Sequence, residues 1–260
     1  MLMDSSPVSV RTQIALLLRE VEVGQNSGTG SLTWAVIEPI IGICLLSVIF
    51  MIAFPAPPLG DSFALFYATG LLPLILFQDV TQKLVVALRF SRPLMGFARV
   101  GVGDMILARA VFSLLTQLVA MSLILSSLGW LEGSLRALNL LQVFQSITAL
   151  ICLSLGAGVF GCWVGSIWPL WPRVWAVFLR PLVFVSGVFF LVDEIGDPFR
   201  DWLLWNPLAH VIFSLRSGIY TGYSGDLASL PYVLLAAGLL GFAGLLGLRA
   251  NLATLVDELA

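Results

Sequence analysis

The sequence predicts an all-α integral membrane protein with six transmembrane helices, and three observations carry that prediction. Of 260 residues, 59% are hydrophobic and 11% charged, with mean hydropathy +1.00, whereas soluble domains carry about 25% charged residues. Six apolar runs each approach or exceed the roughly 20 residues that a bilayer requires. The cations are not scattered: Lys83, Arg89, Arg92, Arg99 and Arg109 crowd one junction between two of those runs. Such a junction cannot lie in hydrocarbon and belongs at a membrane surface.

The first segment, 7–24, reads as an amphipathic helix. Ser6 can cap it, Pro7 suits its first position and Gly24 can end it. Val10, Ile14, Leu17, Leu18 and Val21 share one face, while Arg11, Arg19, Glu20 and Glu22 lie off it. Too short and too charged to span, it is expected to lie along the interface. The N-terminal stretch lacks the basic start and cleavage site of a signal peptide. A Gly/Ser-rich link leads to the spans, placed at 34–54, 63–88, 105–128, 138–167, 174–192 and 230–249 of a single transmembrane domain covering 1–260.

Orientation follows Lys and Arg near helix ends rather than the net charge of -2. With the N-terminus inside, ten of the 13 cations fall in or near cytoplasmic segments, leaving only Arg136, Arg200 and Arg216 outside. Six spans return the C-terminus to the cytoplasm. The outer segment 193–229 holds two apolar patches, Trp202 to Trp205 and Leu208 to Leu215, each too short to cross. Two short re-entrant helices fit this pattern, with a turn at Asn206-Pro207 because Pro207 disfavours helical geometry before it. Asn206 can bond the backbone groups freed there, and His210 and Arg216 are expected to reach toward headgroups or nearby acidic residues.

Several chemistries find no support. A P-loop needs G-x-x-x-x-G-K-[ST], but the one lysine, Lys83, follows Gln82. The G-x-G-x-x-G match from Gly156 to Gly161 sits inside an apolar run, without the strand–turn–helix setting of a dinucleotide site. Ala157, Gly161 and Gly165 instead recur every four residues, as in close helix packing. Lone His210 has no metal-binding neighbours in sequence, and Cys44, Cys152 and Cys162 read as small buried hydrophobes. Asp193, Glu194, Asp197 and Asp201 read as a solvated rim, with paired hydrolytic carboxylates as the alternative. Trp168, Trp171 and Trp175 cluster near one surface, and Trp130, Trp202 and Trp205 near the other. They read as interfacial belts or as sugar-stacking surfaces.

Four stretches carry a resemblance. They are Gly30 to Pro39 at the start of the first span, including Trp34, Glu38 and Pro39, and Tyr67-Ala68-Thr69-Gly70-Leu71-Leu72-Pro73 in the second. The third is Arg99-Val100 with Asp104 to Arg109, and the fourth Ser186 to Phe190 with Asn206 to His210, Arg216 and Gly222-Tyr223. In this order and spacing the chain resembles the membrane permeases of type-2 ABC exporters, and within them the bacterial capsule-polysaccharide export permeases. It departs from them at Phe213, where a Glu is frequent.

The resemblance implies a non-enzymatic homodimer in the bacterial inner membrane, with two copies of a separate ATPase that binds ATP and Mg. No cofactor is expected in this chain, and no nucleic acid. A lipid-linked glycan would pass between the two permeases, with periplasmic export partners beyond. Segment 89–103 would dock on the ATPase through Arg89, Arg92, Phe97 and Arg99. The outer gate would comprise Trp202, Trp205, Asn206, Pro207, His210 and Arg216. Rival readings are an exporter of O-antigen, teichoic acid or a drug-like lipid, and an integral-membrane enzyme acting on lipid-linked glycans.

Overall fold

The computed structural model describes residues 15–20, 22, 32–90, 102–133 and 138–251. The described residues form helices α1 (Leu32–Ala53), α2 (Phe63–Val85), α3 (Ala87–Phe90), α4 (Val102–Glu132), α5 (Leu140–Ile167), α6 (Trp171–Leu179), α7 (Leu182–Val185), α8 (Phe199–Leu203), α9 (Pro207–Ile219) and α10 (Leu230–Ala250). Helices α1, α2, α4, α5 and α10 are long and apolar enough to cross a membrane.

The helix starts follow from local chemistry. Ser62 Oγ accepts from the backbone N–H groups of Ala64 and Leu65 at 3.1 and 3.4 Å and so caps α2. Asn139 Oδ1 accepts from Gln142 N–H at 3.2 Å and caps α5. Lys83, Arg89, Arg109, Arg173 and Arg249 all lie toward one end of the bundle, here the basic end. Asp61, Glu132, Asp193, Asp197, Asp201 and Asp226 lie toward the other.

The core is built around α2 and α5. The central window of α2 is 72% buried, against 17% for α1, whose Ile37, Ile41, Leu45 and Ile52 are exposed. In a membrane protein such exposure is the ordinary face toward lipid or another chain, because acyl chains are as apolar as leucine. Helix α5 meets neighbours on two sides through small residues. A Cβ on Gly156 would strike the Ala237 carbonyl of α10, and one on Gly244 would meet Phe160 N at 2.6 Å. On its other side, Cβ atoms on Gly161 and Gly165 would meet Val85 Cγ2 at 2.5 Å and Val85 O at 2.9 Å. Ala157 is 3% exposed. Spacing singled out the α2 side of this helix; the α10 side, through Gly156 and Gly244, was not anticipated.

The expected continuous fifth span at 174–192 is corrected by the structure. Helix α6 ends at Leu179, α7 is a single turn, and the chain then bends through Gly187 with φ 73°. Pro181 explains the interruption, since it lacks the N–H that would continue α6. The broken element still runs the length of α2. Trp175 Nε1 donates to Thr81 Oγ1 (3.2 Å) and Gln78 Nε2 donates to Leu179 O (2.8 Å). Val188 meets Gly70, and Leu191 packs with Phe63 and Tyr67.

Two smaller differences concern the ends. The second run was drawn as one helix to Leu88, but α2 stops at Val85 and α3 is a separate turn. Of the expected interfacial helix, residues 15–20 and 22 are helical and the remainder lies outside the described residues. Within it Leu16 is buried (7% exposed) and Leu18 is 60% exposed. The described part of this segment therefore turns Leu16, rather than Leu18 of the stripe read in the sequence, toward the bundle, and Arg19 lies over the Phe90 ring, 5.6 Å away.

Candidate functional site

Helix α9 was expected as a short patch near the outer surface, and it is instead the most deeply packed of the short elements. Leu208 to Arg216 are buried without a gap. Ser214 Oγ meets Gln142 Nε2 at 2.7 Å and Ser146 Oγ at 2.8 Å, tying α9 to α5. The turn at Asn206 is as expected. Its Oδ1 accepts from Leu208 N–H at 3.0 Å, while Nδ2 donates to Val185 O at 3.1 Å and Ser186 Oγ at 2.9 Å. One amide thus caps α9 and holds the end of α7. Pro207 fills the first helical position, where its missing N–H leaves nothing unpaired.

His210 and Arg216 do not reach outward, contrary to expectation. His210 is 4% exposed. Its Nε2 lies 2.8 Å from Leu204 O, and its Nδ1 accepts from Ser229 N–H at 3.1 Å. The ring ties the start of α9 to the segments on either side, with Tyr232 edge-on at 5.2 Å.

Arg216 is 0% exposed. Its Nη1 donates to Gly187 O (2.7 Å) and Phe190 O (3.2 Å), its Nη2 to Val188 O (2.9 Å) and its Nε to Thr69 Oγ1 (3.3 Å). The guanidinium sits 4.1 Å from the centre of the Phe66 ring. Among the described residues no carboxylate pairs with it. Five donors in a planar fork let arginine satisfy itself on backbone carbonyls. Burial pushes the hydroxyls of nearby Tyr220 and Tyr223 well above their usual range, so these remain neutral neighbours. Arg216 therefore binds the 187–190 turn to α2 and α9. Gly187 permits this: besides its positive φ, a Cβ there would meet Phe213 Cε1 at 2.5 Å. Trp202 and Trp205 project beside this knot, 76% and 81% exposed.

At the basic end, Arg92, Phe97 and Arg99 lie outside the described residues. Arg89 is engaged within the chain. Its Nη1 donates to Pro169 O at 3.0 Å and its Nη2 to Gly165 O at 3.2 Å, so it caps the C-terminus of α5, where a cation also suits the helix dipole. Arg109, 8% exposed, lies 4.0 Å from the centre of the Phe90 ring. At the start of α1, Trp34 and Glu38 are exposed and Pro39 is buried.

Between α2 and α6 lies a cavity of about 260 Å³ whose wall includes Gln82, Lys83, Pro172 and Trp175. Sequence reasoning placed Lys83 in the cation cluster but did not connect it with Trp175. The α2–α6 contact that joins them has no signature in either segment alone. Asp193, Glu194, Asp197 and Asp201 are exposed, and Asp197 pairs with Arg200 at 2.8 Å. Among the described residues no His, Cys, Asp or Glu group is arranged to hold a metal.

No family profile matches the chain. Relatives alike over most of its length do. The chain is 31% identical over 232 residues to the polysialic acid transport protein KpsM of Escherichia coli, covering 89% of this chain and 90% of the relative. It is 20% identical to the capsule polysaccharide export inner-membrane protein CtrC of Neisseria meningitidis serogroup B, over 84% of this chain and 82% of the relative. It is 22% identical to the corresponding protein BexB of Haemophilus influenzae, over 86% and 83%. With its bundle of membrane-length helices and end-to-end likeness to these transport proteins, the chain belongs to the capsule-polysaccharide export inner-membrane permeases of type-2 ABC exporters.

Proposed function

We propose that this chain is the membrane subunit of an ATP-driven exporter that moves a lipid-linked, capsule-type polysaccharide across the bacterial inner membrane. The end-to-end likeness to capsule exporters carries the reading. Two permeases enclose the path, with the basic end and both termini in the cytoplasm. ATP and Mg act in a separate ATPase present in two copies, which docks on segment 89–103, and periplasmic partners receive the polymer. The absence of a P-loop in this sequence supports that division of labour. So does the gathering of cations at one end of the bundle. The outer end, where Asn206, His210 and Arg216 bind α9 to its neighbours, forms the exit.

Deleting the gene in its own bacterium tests the reading. Surface polysaccharide should disappear while lipid-linked polymer accumulates inside, and the tagged permease should bring an ABC ATPase with it in mild detergent. Undiminished surface polysaccharide overturns the reading. A covalently altered glycan made by the purified chain alone would favour the enzyme instead, although the exposed carboxylates of 193–201 give that reading no assembled site.

A further inference from the structure

The second half of α2 carries a polar stripe. Gln78 and Asp79 are followed one turn later by Gln82 and Lys83. The Lys83 ammonium donates to Asp79 Oδ2 at 2.8 Å, and Ser113 Oγ of α4 donates to the same oxygen at 2.6 Å. The Lys83 and Asp79 side chains are 28% and 24% exposed.

Depth and direction set this pair apart from a surface ion pair. Val85 marks the level at which α2 meets Gly165 near the basic end of α5. Asp79 lies six residues before it, about 9 Å further into the bundle at 1.5 Å per residue. A lysine near the end of a span ordinarily snorkels, sending its ammonium out to the interface. Lys83 does the reverse and reaches one turn back toward the middle of the bundle. An ion pair still about a quarter exposed at that depth does not border acyl chains, because charge in hydrocarbon is too costly. Its open side must face water or a polar ligand.

Lys83 of the pair, together with Gln82, lines the cavity between α2 and α6. Trp175 forms part of the opposite wall, its indole held by the bond to Thr81. Trp171 and Trp168 continue from it in a row, with ring centres 5.7 and 6.0 Å apart. A cation, a free amide and an indole around one cavity match the chemistry of an acidic sugar, which presents a carboxylate, hydroxyl groups and an apolar ring face.

We propose that this cavity is a binding subsite for carboxylate-bearing sugars of the exported polymer. Lys83 meets the carboxylate, Gln82 the hydroxyl groups and Trp175 the ring face. The ammonium has three donors. When it turns to the ligand, Asp79 keeps its bond from Ser113, so no bare carboxylate is left behind. The subsite rests on the exporter reading above, and it adds that the path discriminates by charge.

The single lysine makes the test direct. Membrane vesicles of each orientation, carrying the whole transporter, are treated with a membrane-impermeant sulfosuccinimidyl ester, and acylation of the Lys83 peptide is read by mass spectrometry. Labelling is expected from the basic side alone. A sialic acid oligomer should slow it by about fivefold, within the range of charge-assisted contacts. A dextran oligomer of equal length, or inorganic phosphate, should not. Absence of labelling from both sides, absence of protection by the acidic oligomer, or equal protection by dextran or phosphate each overturns the subsite.

Two variants give an independent reading. Lys83→Arg should keep export of acidic polymer, and Lys83→Gln should lower it by about tenfold with ATPase association unchanged. Equal export by both variants also overturns the subsite. These results are separable from the exporter reading, which fails only if the parent protein does not transport at all.

Discussion

Arg216→Met tests the buried cage around α9. The substitution keeps much of the stem's volume and removes every donor. Gly187 O, Val188 O and Phe190 O then lose the guanidinium, and no other backbone bond of the described turns reaches them. Each buried carbonyl left unpaired costs about 1–3 kcal/mol, or about 3–9 kcal/mol for three. The variant also avoids burying a charge, which recovers several kcal/mol. The net loss is about 2–5 kcal/mol, a large part of the roughly 5–15 kcal/mol that holds a typical fold. Thermal unfolding in detergent should fall by several degrees, and proteases should gain access to the 186–190 turn. Arg216→Lys should not restore stability, because a point charge cannot replace a planar fork aimed at three carbonyls. Melting of Arg216→Met within about one degree of the parent would refute the reasoning, given that 1 kcal/mol moves a domain of this size by about 2–4 °C. Full rescue by lysine would show that charge, not geometry, is what the site requires.

Gly156→Ala should destabilise more than Gly161→Ala. The first drives a methyl into the Ala237 backbone, whereas the second meets a Val85 methyl that can turn aside; overpacking costs about 1–3 kcal/mol. The reverse order in a melting series would place α5 against the wrong neighbour. Arg89→Met should lower melting by a few degrees through loss of two carbonyl bonds, about 1 kcal/mol each. Unchanged melting with lost binding would assign Arg89 to the partner rather than to α5. Arg92→Glu should insert normally yet lose the ATPase in co-purification, since like charges across an interface cost several kcal/mol; normal export by this variant would remove position 92 from the coupling surface.

The one-dimensional pattern determined what depends on local chemistry and on the solvent. Runs of apolar residues long enough to cross a bilayer can do little else, so the class, the approximate bounds of α1, α2, α4, α5 and α10, and the break at Asn206-Pro207 were legible. Small residues at 157, 161 and 165 pointed to close packing because side-chain size sets how near two helices come. The tertiary structure decided where the polar side chains go. In sequence, Arg216 and His210 look like groups bound for water. Only the folded chain brings the 187–190 carbonyls from 26 to 29 positions away to meet the guanidinium, or sets Leu204 and Ser229 about the imidazole. Likewise Lys83 looks like one member of a surface cation cluster until its bond to Asp79 draws it inward beside the cavity it shares with Trp175. Hydropathy reports the cost of placing a charge in lipid, but it carries no information about which distant backbone will offset that cost.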